Sequence, residues 1–446
     1  MTLGTGSGQQ RGVVFAQPGQ AMTGLQPAVA PAGALSSSWY CAGATGPKGA
    51  APASLLLANL GRRVVRGHVS VVSTGGPAST KTVVVQPRSS LWVPEGSGAS
   101  GSYVAATAVL YGGQVAVWQV LSGPAGRATV ACSPAAAKQW YEASGSTAGD
   151  SQVELALYNP LAADAVADLS FATTHGPAQP GDFQGIVVPA RRLVVVDVGQ
   201  HVQQQAAVAT TVTARFGELV VDQLSTSGSG KATTVAVTRG VAGTASRWYF
   251  PVGQSWAGSA SSYQVLNPSS AMADVRVSMR LSSGVVAPFA LSVPPLSALT
   301  LATGGQRRVP GGIPYSVTIN TANGVGVVAE RTEASSSGLV TSSLLGAPYS
   351  SRTWLVTAPA AGFLVLQDAG RSKAKAGVAT LTDGKLRPVP GLGKVAVAAG
   401  HARTVSVPGT GQEVIVVQAS RPLVAEWVTS DSGRALPAMA VAVPSP

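Results

Sequence analysis

The feature that most constrains this chain is a tryptophan that returns about once every hundred residues. Each one follows a short polar or basic run and opens a similar β-rich stretch: Trp39, Trp140, Trp248 and Trp354. The intervals between them are 101, 108 and 106 residues, which is the size of one small domain. Self-similarity at a fixed period is the signature of a repeat protein. We therefore expect an array of about four domains in the 446 residues.

The composition indicates that these domains are built from strands. Hydrophobic residues make up 45% of the chain and charged residues 11%, with 53 glycines and 30 prolines. Short Val/Thr-rich runs separated by Gly, Pro and Ser are typical of β-sandwiches and barrels. A disordered chain would have fewer apolar residues and more charge. The predicted fold is all-β: a tandem array of about four immunoglobulin-like β-sandwich repeats of roughly 100 residues, with about seven strands each.

The repeat period sets the predicted boundaries. We expect a disordered N-terminal segment and then four units, of which the last is shorter and divergent: residues 1–34, 35–133, 134–240, 241–345 and 346–446. The sequence leaves open whether the units form a rod, a compact ring or a flexible string.

A second element of the repeat is a strand that ends in asparagine. Asn159 and Asn267 each precede a proline 19 residues after the opening tryptophan, and Asn59 holds the same place in the first unit. Asparagine stabilises turns through its own side chain, and proline cannot continue a ladder of hydrogen bonds. In the last unit the Asn-Pro pair is missing, and Gln367-Asp368 lie near its place. We expect a strand to end in a turn at this position of every unit.

The aromatic residues have two interpretations. A single large aromatic side chain in the first strand is most simply a core anchor between two sheets, and we interpret the four repeated tryptophans in this way. The alternative is a platform on which sugars stack. Trp118, Trp256 and Trp427 lie outside the repeated position, so they are the candidates for ligand contact.

Acidic residues recur near the end of each unit. Asp222, Glu330 and Glu426 occupy matching positions in Val-rich strands, where the first unit has Trp118. An unpaired buried carboxylate is costly, so each must be paired or solvated. We interpret these acids as structural ion-pair or interdomain contacts, and keep ligand-binding carboxylates as the alternative.

The first unit contains both cysteines of the chain. Cys41 follows the opening Trp-Tyr and Cys132 ends the last strand of the same unit. A bond would tie the first strand to the last, and such a disulfide implies an oxidising compartment. Two reduced thiols in the core are the alternative.

The chain is basic, with a net charge of +12 that is unevenly distributed. Residues 1–133 carry eight basic and one acidic side chain, whereas 134–240 carry six and nine. The basic clusters lie near turns, around Arg62-Arg63 and around Arg371. They lack the interleaved aromatics that stack on bases, so we expect no nucleic-acid partner. Solvated loops or an anionic envelope polymer explain them better.

No pattern of residues indicates a reaction. The four histidines are scattered, and neither a zinc-binding spacing, a nucleophile elbow nor a phosphate-binding loop occurs. We therefore predict no catalytic, metal-binding or cofactor-binding residues. The sequence lacks a run of about 18 apolar residues that could span a membrane, and residues 1–35 lack a signal-peptide pattern. Membrane attachment would accordingly need an anchor that this sequence does not contain.

Together the motifs resemble a known family. The Trp-Tyr opening, the Asn-Pro strand end, the Val-Pro pivot and the ending Val327–Arg331 are similar to exported repeat proteins of high-GC Gram-positive bacteria, actinobacteria, catalogued as a domain of unknown function. The resemblance covers roughly residues 35–440. It implies an extracytoplasmic, membrane-anchored protein encoded near envelope glycosyltransferases, and it implies no catalytic residues.

These observations lead to one expected function and one alternative. We expect a non-catalytic cell-envelope protein that acts as a scaffold or binding module, for an anionic glycan or a membrane-bound enzyme. The alternative is a secreted hydrolase of envelope polysaccharide with a carboxylate site between repeats, which would need two acids in one cleft.

Overall fold

The computed structural model describes most of the chain. The described residues are 13–15, 26–29, 37–45, 52–96, 98–112, 115–123, 126–228, 234–256, 259–281, 284–335, 340–358, 362–382, 384–407, 413–431, 434–439 and 441–443. The first 34 residues lie outside this set except for two short strands that pair with each other, β1 (Val13–Phe15) and β2 (Gln26–Val29).

The described residues of the first unit form eight strands: β3 (Ser38–Thr45), β4 (Ala53–Asn59), β5 (Val65–Ser73), β6 (Gly76–Val85), β7 (Ser89–Pro94), β8 (Tyr103–Tyr111), β9 (Val115–Gly123) and β10 (Gly126–Ala131). They form two four-stranded antiparallel sheets, ordered β3-β8-β5-β6 and β10-β9-β4-β7. We name the first the opening sheet, because it contains the strand with the repeated tryptophan. The second is the closing sheet, which contains the strand at the position of the recurring acid.

The second unit repeats this plan with β11 (Gln139–Glu142), β12 (Gln152–Asn159), β13 (Ala165–Thr173), β14 (Gly176–Ala178), β15 (Ile186–Val188), β16 (Arg192–Asp197), β17 (Val208–Phe216), β18 (Val220–Ser227) and β19 (Thr234–Arg239). Its opening sheet is β11-β17-β13-β14 with β15 on β13, and its closing sheet is β16-β12-β18-β19. Two single-turn 3-10 helices, Gly181–Phe183 and Val198–Gln200, interrupt the strands.

The third unit contains β20 (Arg247–Gly253), β21 (Ser255–Trp256), β22 (Ser259–Asn267), β23 (Ala273–Leu281), β24 (Gly284–Val285), β25 (Phe289–Val293), β26 (Ser297–Ala302), β27 (Tyr315–Thr321), β28 (Val328–Ser335) and β29 (Val340–Leu345). The opening sheet is β20-β27-β23-β24 with β25 on β23, and the closing sheet is β21-β22-β28-β29 with β26 on β22.

The fourth unit contains β30 (Ser351–Ala358), β31 (Gly362–Asp368), β32 (Ala374–Thr382), β33 (Lys385–Pro388), β34 (Val395–Val397), β35 (Ala402–Val407), β36 (Glu413–Asp431), β37 (Arg434–Met439) and β38 (Val441–Val443). Its strands join into one nine-stranded sheet, because β36 runs through 19 residues without a break. The first part of β36 pairs with β30 and β32, and the second with β31 and β37. The expected all-β fold built from antiparallel sheets is confirmed.

The repeated tryptophans lie in the cores, where the sequence analysis placed them. All four are at most 1% exposed. In the last three units the indole nitrogen donates to the carbonyl three residues before the recurring acid: Trp140 to Leu219 at 2.8 Å, Trp248 to Val327 at 2.9 Å and Trp354 to Leu423 at 2.7 Å. A buried indole needs such a partner. The tryptophan thus ties the opening strand to the closing strand within a unit.

The asparagine that ends the second strand organises the turn after it. Asn159 donates through its amide to the carbonyls of Ala163 and Val188, at 2.8 and 2.9 Å, and its side-chain oxygen accepts from the Leu161 amide. Asn59 and Asn267 make the equivalent bonds. In the fourth unit Asp368 accepts from the Gly370 amide at 2.7 Å, so the strand end persists without asparagine.

The predicted disulfide is present. Cys41 and Cys132 are bonded, with Cα atoms 4.5 Å apart and 91 residues between them in sequence. Beside the bond, Tyr40 and Ser133 exchange two backbone hydrogen bonds of 2.7 Å. The bond therefore joins the strand that opens the first unit to the segment that leaves it.

Consecutive units pack through the same surfaces. The residue after each repeated tryptophan faces the next unit: Tyr141 belongs to the apolar cluster of the third unit, and Tyr249 to that of the fourth. Strand β16 lies against β5 and β8 of the first unit, and β26 lies against β13 of the second. An opening sheet thus packs against the closing sheet that follows it in sequence.

The same contact closes the array between its last and first units. Leu355, which follows Trp354, shares one apolar cluster with Val414, Val416 and the core of the first unit. Strand β32 of the fourth unit lies against β7 of the first. A Cβ atom added at Gly384 would be 3.6 Å from the carbonyl oxygen of Pro87. The four units therefore form a closed ring in which each has two neighbours, one of the three arrangements the sequence left open.

Candidate functional site

The recurring acids lie at the junctions between units and bind the backbone of the preceding unit. Asp222 of the second unit accepts from the amides of Ala42 and Gly43 in the first, at 3.1 and 2.7 Å. Glu330 of the third unit accepts from Ala143 and Ser144 of the second, at 3.1 and 2.9 Å.

Glu426 of the fourth unit completes the series by accepting from the Val252 amide at 3.2 Å. Gly43, Ser144 and Val252 all stand four residues after a repeated tryptophan. One carboxylate therefore reaches the same point of the opening strand at three consecutive junctions. We name this contact the carboxylate clamp.

In two units the residue after the acid bonds to the same point of that unit's own opening strand. Gln223 donates to the Ser144 carbonyl at 2.7 Å, and Arg331 donates to the Val252 carbonyl. The next unit thus binds the N–H of Ser144 and of Val252, and each residue's own unit binds its C=O. Such two-sided bonding fixes the end of the opening strand between two units.

Burial disfavours the ionised form of the clamp carboxylates. Burial raises the pKa of Asp222 from 3.8 to about 7, although Arg239 and the amides of Gly43 and Ala42 oppose the shift. Burial also raises the pKa of Glu330 against its bonds to Ser343 and Ser144. Glu142 lies in the same region, where burial and the proximity of Glu330 hold its pKa well above the usual range.

The junction of the third and fourth units contains a fully buried ion network. The Arg331 guanidinium lies 2.7 Å from Glu426 and 3.1 Å from Glu333, and all three side chains are 0% exposed. Burial opposes the charge on Arg331, but the two carboxylates outweigh it and raise the pKa of the arginine. Burial raises the pKa of Glu333 to about 7. Removing one partner would leave an uncompensated buried charge.

Trp118 takes the place of the acid at the junction between the fourth and first units. The strand register places it between Leu56 and Ala131, and it is fully buried in the cluster that includes Leu355 and Val416. Its departure from the repeat predicts a ligand contact for Trp118. The structure corrects this, because its ring presents no face to solvent and instead belongs to an apolar version of the junction.

The other two candidate tryptophans have different outcomes. Trp427 is fully buried and packs in the core of the fourth unit, so it too is corrected from a ligand contact to a core residue. Trp256 ends strand β21, but its side chain lies outside the described part of the structure.

Interdomain contact was the favoured interpretation of Asp222, Glu330 and Glu426, and their geometry matches it. Each is at most 1% exposed. A hydrolase of the kind considered as the alternative needs carboxylates that reach a bound sugar and a water molecule. The clamp acids face backbone amides instead.

Sequence reasoning missed several residues of the junctions. Glu142 accepts from the Thr238 hydroxyl at 2.9 Å, and Arg239 donates to the Cys132 carbonyl at 3.1 Å across the first junction. Arg239 is fully buried, and burial lowers its pKa to about 10. The available signal was the recurring tyrosine after tryptophan, which marks the face that meets the next unit.

A cavity of about 220 Å³ lies between the second and third units. Its lining consists of small, hydroxyl or amide side chains without a charged or aromatic residue; it includes Ser144, Ser225, Gln264, Thr300 and Thr332. Such a surface offers hydrogen bonds to an uncharged polar ligand.

The described residues contain neither a cluster of metal ligands nor a membrane-spanning helix. No group of three or more His, Cys, Asp or Glu side chains in that part of the chain is arranged to hold a metal ion. Within the same residues, no helix has the length and apolar character needed to cross a membrane.

Three solved structures are distantly similar to this chain. The Thermotoga maritima 1070 structure is 21% identical, with a TM-score of 0.21, and the match covers 23% of this chain and 93% of that one. A Streptomyces avermitilis α-L-rhamnosidase complexed with L-rhamnose is 9% identical, covering 82% and 55%, with a TM-score of 0.14. A tetra-tandem repeat from the extending region of a large adhesion protein is 12% identical, covering 87% and 93%, with a TM-score of 0.11.

Comparison with sequence families gives a match in the middle of the chain. No curated protein matches the chain significantly. Residues 93–303 match the profile of a family of unknown function (DUF5719). This segment begins in β7 of the first unit and ends just after β26 of the third. It contains Asp222 but not Ala42 and Gly43, whose amides that carboxylate binds. The chain is therefore similar to that family over its central part.

Proposed function

We propose that this chain is a non-catalytic binding platform of the cell envelope that acts outside the cytoplasm. The observation that carries the proposal is the carboxylate clamp. The acids that recur through the sequence are buried against neighbouring units, where they stabilise a closed arrangement and are inaccessible to a substrate. A scaffold needs a fixed arrangement of its units more than it needs an accessible reactive group.

The disulfide supports the proposed location. Structural disulfides persist in oxidising environments such as the outside of the cell, and Cys41–Cys132 closes the first unit of the ring. The sequence resemblance to exported envelope proteins points to the same compartment.

The cavity between the second and third units supports an envelope glycan as ligand. Sugar hydroxyls are recognised through several hydrogen bonds to side chains that both donate and accept, as serine and threonine do. A membrane-bound enzyme is the alternative partner.

The test is binding of the purified chain to a panel of envelope polysaccharides, combined with an assay for released reducing ends. We expect retention without release. Thr300 lines the cavity and is exposed, so Thr300→Trp is expected to block the cavity and abolish retention. Thr404 has the equivalent place in the fourth unit, opposite the clamp strand, and Thr404→Trp is the matched control that should bind normally.

Two outcomes would refute the proposal. Release of reducing ends by the wild-type chain would establish the hydrolase instead. Absence of retention on every polysaccharide, together with no partner recovered from envelope membranes, would leave the platform without a ligand.

A further inference from the structure

The exposed apolar side chains of the ring gather at one end of its units. Eight large hydrophobic residues are strongly exposed among the described residues, and seven of them share this end. Four lie in or beside the turns stabilised by the recurring asparagine: Val64, Leu161, Met272 and Leu296, at 42, 37, 45 and 51% exposure. A single exposed apolar residue needs no explanation, whereas a cluster does.

Strand register places the remaining three beside the same turns. Tyr111 pairs with Arg66, and Phe216 and Val187 both pair with Val166, which is the second residue of β13. Tyr111 and Phe216 are 67 and 68% exposed. The eighth residue, Val285, is the exception, because it pairs with Arg280 at the opposite end of β23.

The closed ring brings these ends to one side. Each unit meets the next through equivalent sheets, and a contact that repeats until it closes relates the units by rotation about one axis. Equivalent turns then lie at the same height along that axis. We name this side the Asn rim: the turns after Asn59, Asn159, Asn267 and Asp368 with the chain segments beside them.

The Asn rim is also strongly basic. Its exposed cations include Arg62, Arg63, Arg191, Arg192, Arg371 and Lys373, against two exposed acids in the same turns, Asp164 and Asp274. The ion pairs found among the described residues involve none of these six cations. The positive charge therefore faces solvent together with the apolar side chains.

We propose that the Asn rim docks on an anionic lipid bilayer. Apolar and aromatic side chains at loop tips can enter the interfacial region, while arginine and lysine contact anionic headgroups. A bilayer is flat, so it can meet the turns of all four units at once. A soluble anionic polysaccharide would satisfy the cations but would leave Phe216, Tyr111 and the other apolar tips in water.

This surface differs from the cavity proposed to bind a glycan. The proposal adds an orientation: the ring lies with the Asn rim toward the membrane and the end that contains Val285 away from it. Because the two surfaces are separate, vesicle binding can fail while polysaccharide retention by the cavity persists, and the reverse.

The test is co-sedimentation of the full chain with vesicles of phosphatidylcholine, with and without phosphatidylglycerol, at low and high salt. We expect binding to the anionic vesicles at low salt and much weaker binding to neutral vesicles or at high salt, since salt screens exposed charges.

Two pairs of variants localise the contact. Leu161→Asp with Phe216→Asp should lower vesicle binding more than tenfold, whereas the matched control Val285→Asp should leave it unchanged. Arg62→Gln should weaken binding about fivefold, the contribution expected of one arginine at an anionic surface. Arg307→Gln is its control. Arg307 lies four residues after Thr303, whose amide donates to the Ser261 carbonyl at the end of the third unit opposite the Asn rim.

Three results would overturn the proposal. One is absence of binding to phosphatidylglycerol vesicles at low salt. Another is an equal loss of binding in Val285→Asp and the Leu161/Phe216 variant. The third is retention on an immobilised anionic polysaccharide, lost in Arg62→Gln, without vesicle binding. If circular dichroism shows that the double variant folds poorly, vesicle binding by Arg62→Gln is compared with that by Arg307→Gln instead. Equal binding by these two variants would overturn the proposal.

Discussion

Replacing Glu330 by alanine is the most informative perturbation of the carboxylate clamp. The variant removes the acceptor of two buried backbone amides, Ala143 and Ser144, and of the Ser343 hydroxyl. Ser343 keeps a partner, because the Ser144 hydroxyl lies 3.0 Å from it. Two buried amides are left without an acceptor.

The magnitude follows from those two amides. A buried donor without a partner costs about 1 to 3 kcal/mol, so the two together cost about 4 kcal/mol. Burial and the proximity of Glu142 disfavour the ionised form of Glu330. Removing this carboxylate therefore offsets part of the cost of the two unpaired amides. We expect a net local destabilisation of about 3 kcal/mol, which corresponds to amide exchange at Ala143 and Ser144 about 150-fold faster than in the wild type.

The assay is hydrogen–deuterium exchange of the full chain, followed in a peptide that covers residues 139–146. Local exchange is preferable to global unfolding, because a chain of several domains need not unfold in one step. Glu330→Gln is the matched control, since it keeps one acceptor oxygen and removes the charge. We expect it to stay within about 1 kcal/mol of the wild type. Equal exchange rates in the Ala and Gln variants would refute the clamp as a stabilising contact.

Three further predictions concern other residues. Asp222 has a folded pKa of about 7 against 3.8 in the unfolded chain, so the folded protein holds this proton more tightly. The free energy of unfolding is therefore expected to fall as the pH rises from about 4 to 7, by up to about 1.4 kcal/mol per pH unit. Asp222→Asn should flatten that slope in denaturant titrations, and an unchanged slope would contradict the assignment. Reduction of Cys41–Cys132, which closes 91 residues, should cost the first unit up to about 4 kcal/mol, and a reductant should have no effect on the double Ala variant. Gln204 has a φ of 55°, so Gln204→Asn is expected to raise the free energy of unfolding by up to about 1 kcal/mol, unlike Gln203→Asn; equal effects would argue against strain there.

Much of the fold could be predicted from the sequence because short sequence motifs define each repeat. The tryptophan marks a core position that every unit needs, and the asparagine marks a turn whose bonds lie within a few residues. The spacing of Cys41 and Cys132 likewise placed both ends of one unit together.

The junctions were harder to predict because they join residues far apart in sequence. Glu330 binds the Ser144 amide 186 residues away, and no local pattern specifies that pairing. The prediction of ligand contact for Trp118 and Trp427 is wrong for a related reason: a residue that departs from the repeat need not face a ligand. At Trp118 the departure instead marks the junction that meets the far end of the chain, where an apolar contact replaces the carboxylate.

The closed ring is the claim on which the clamp and the Asn rim both depend, and small-angle X-ray scattering of the full chain tests it most directly. Four units of roughly 100 residues, each with a radius of gyration of about 13 Å, give about 27 Å when arranged in a closed ring and about 40 Å in a line. We expect the lower value, unchanged by added salt. A radius of gyration near the upper value would contradict the contact between the fourth and first units.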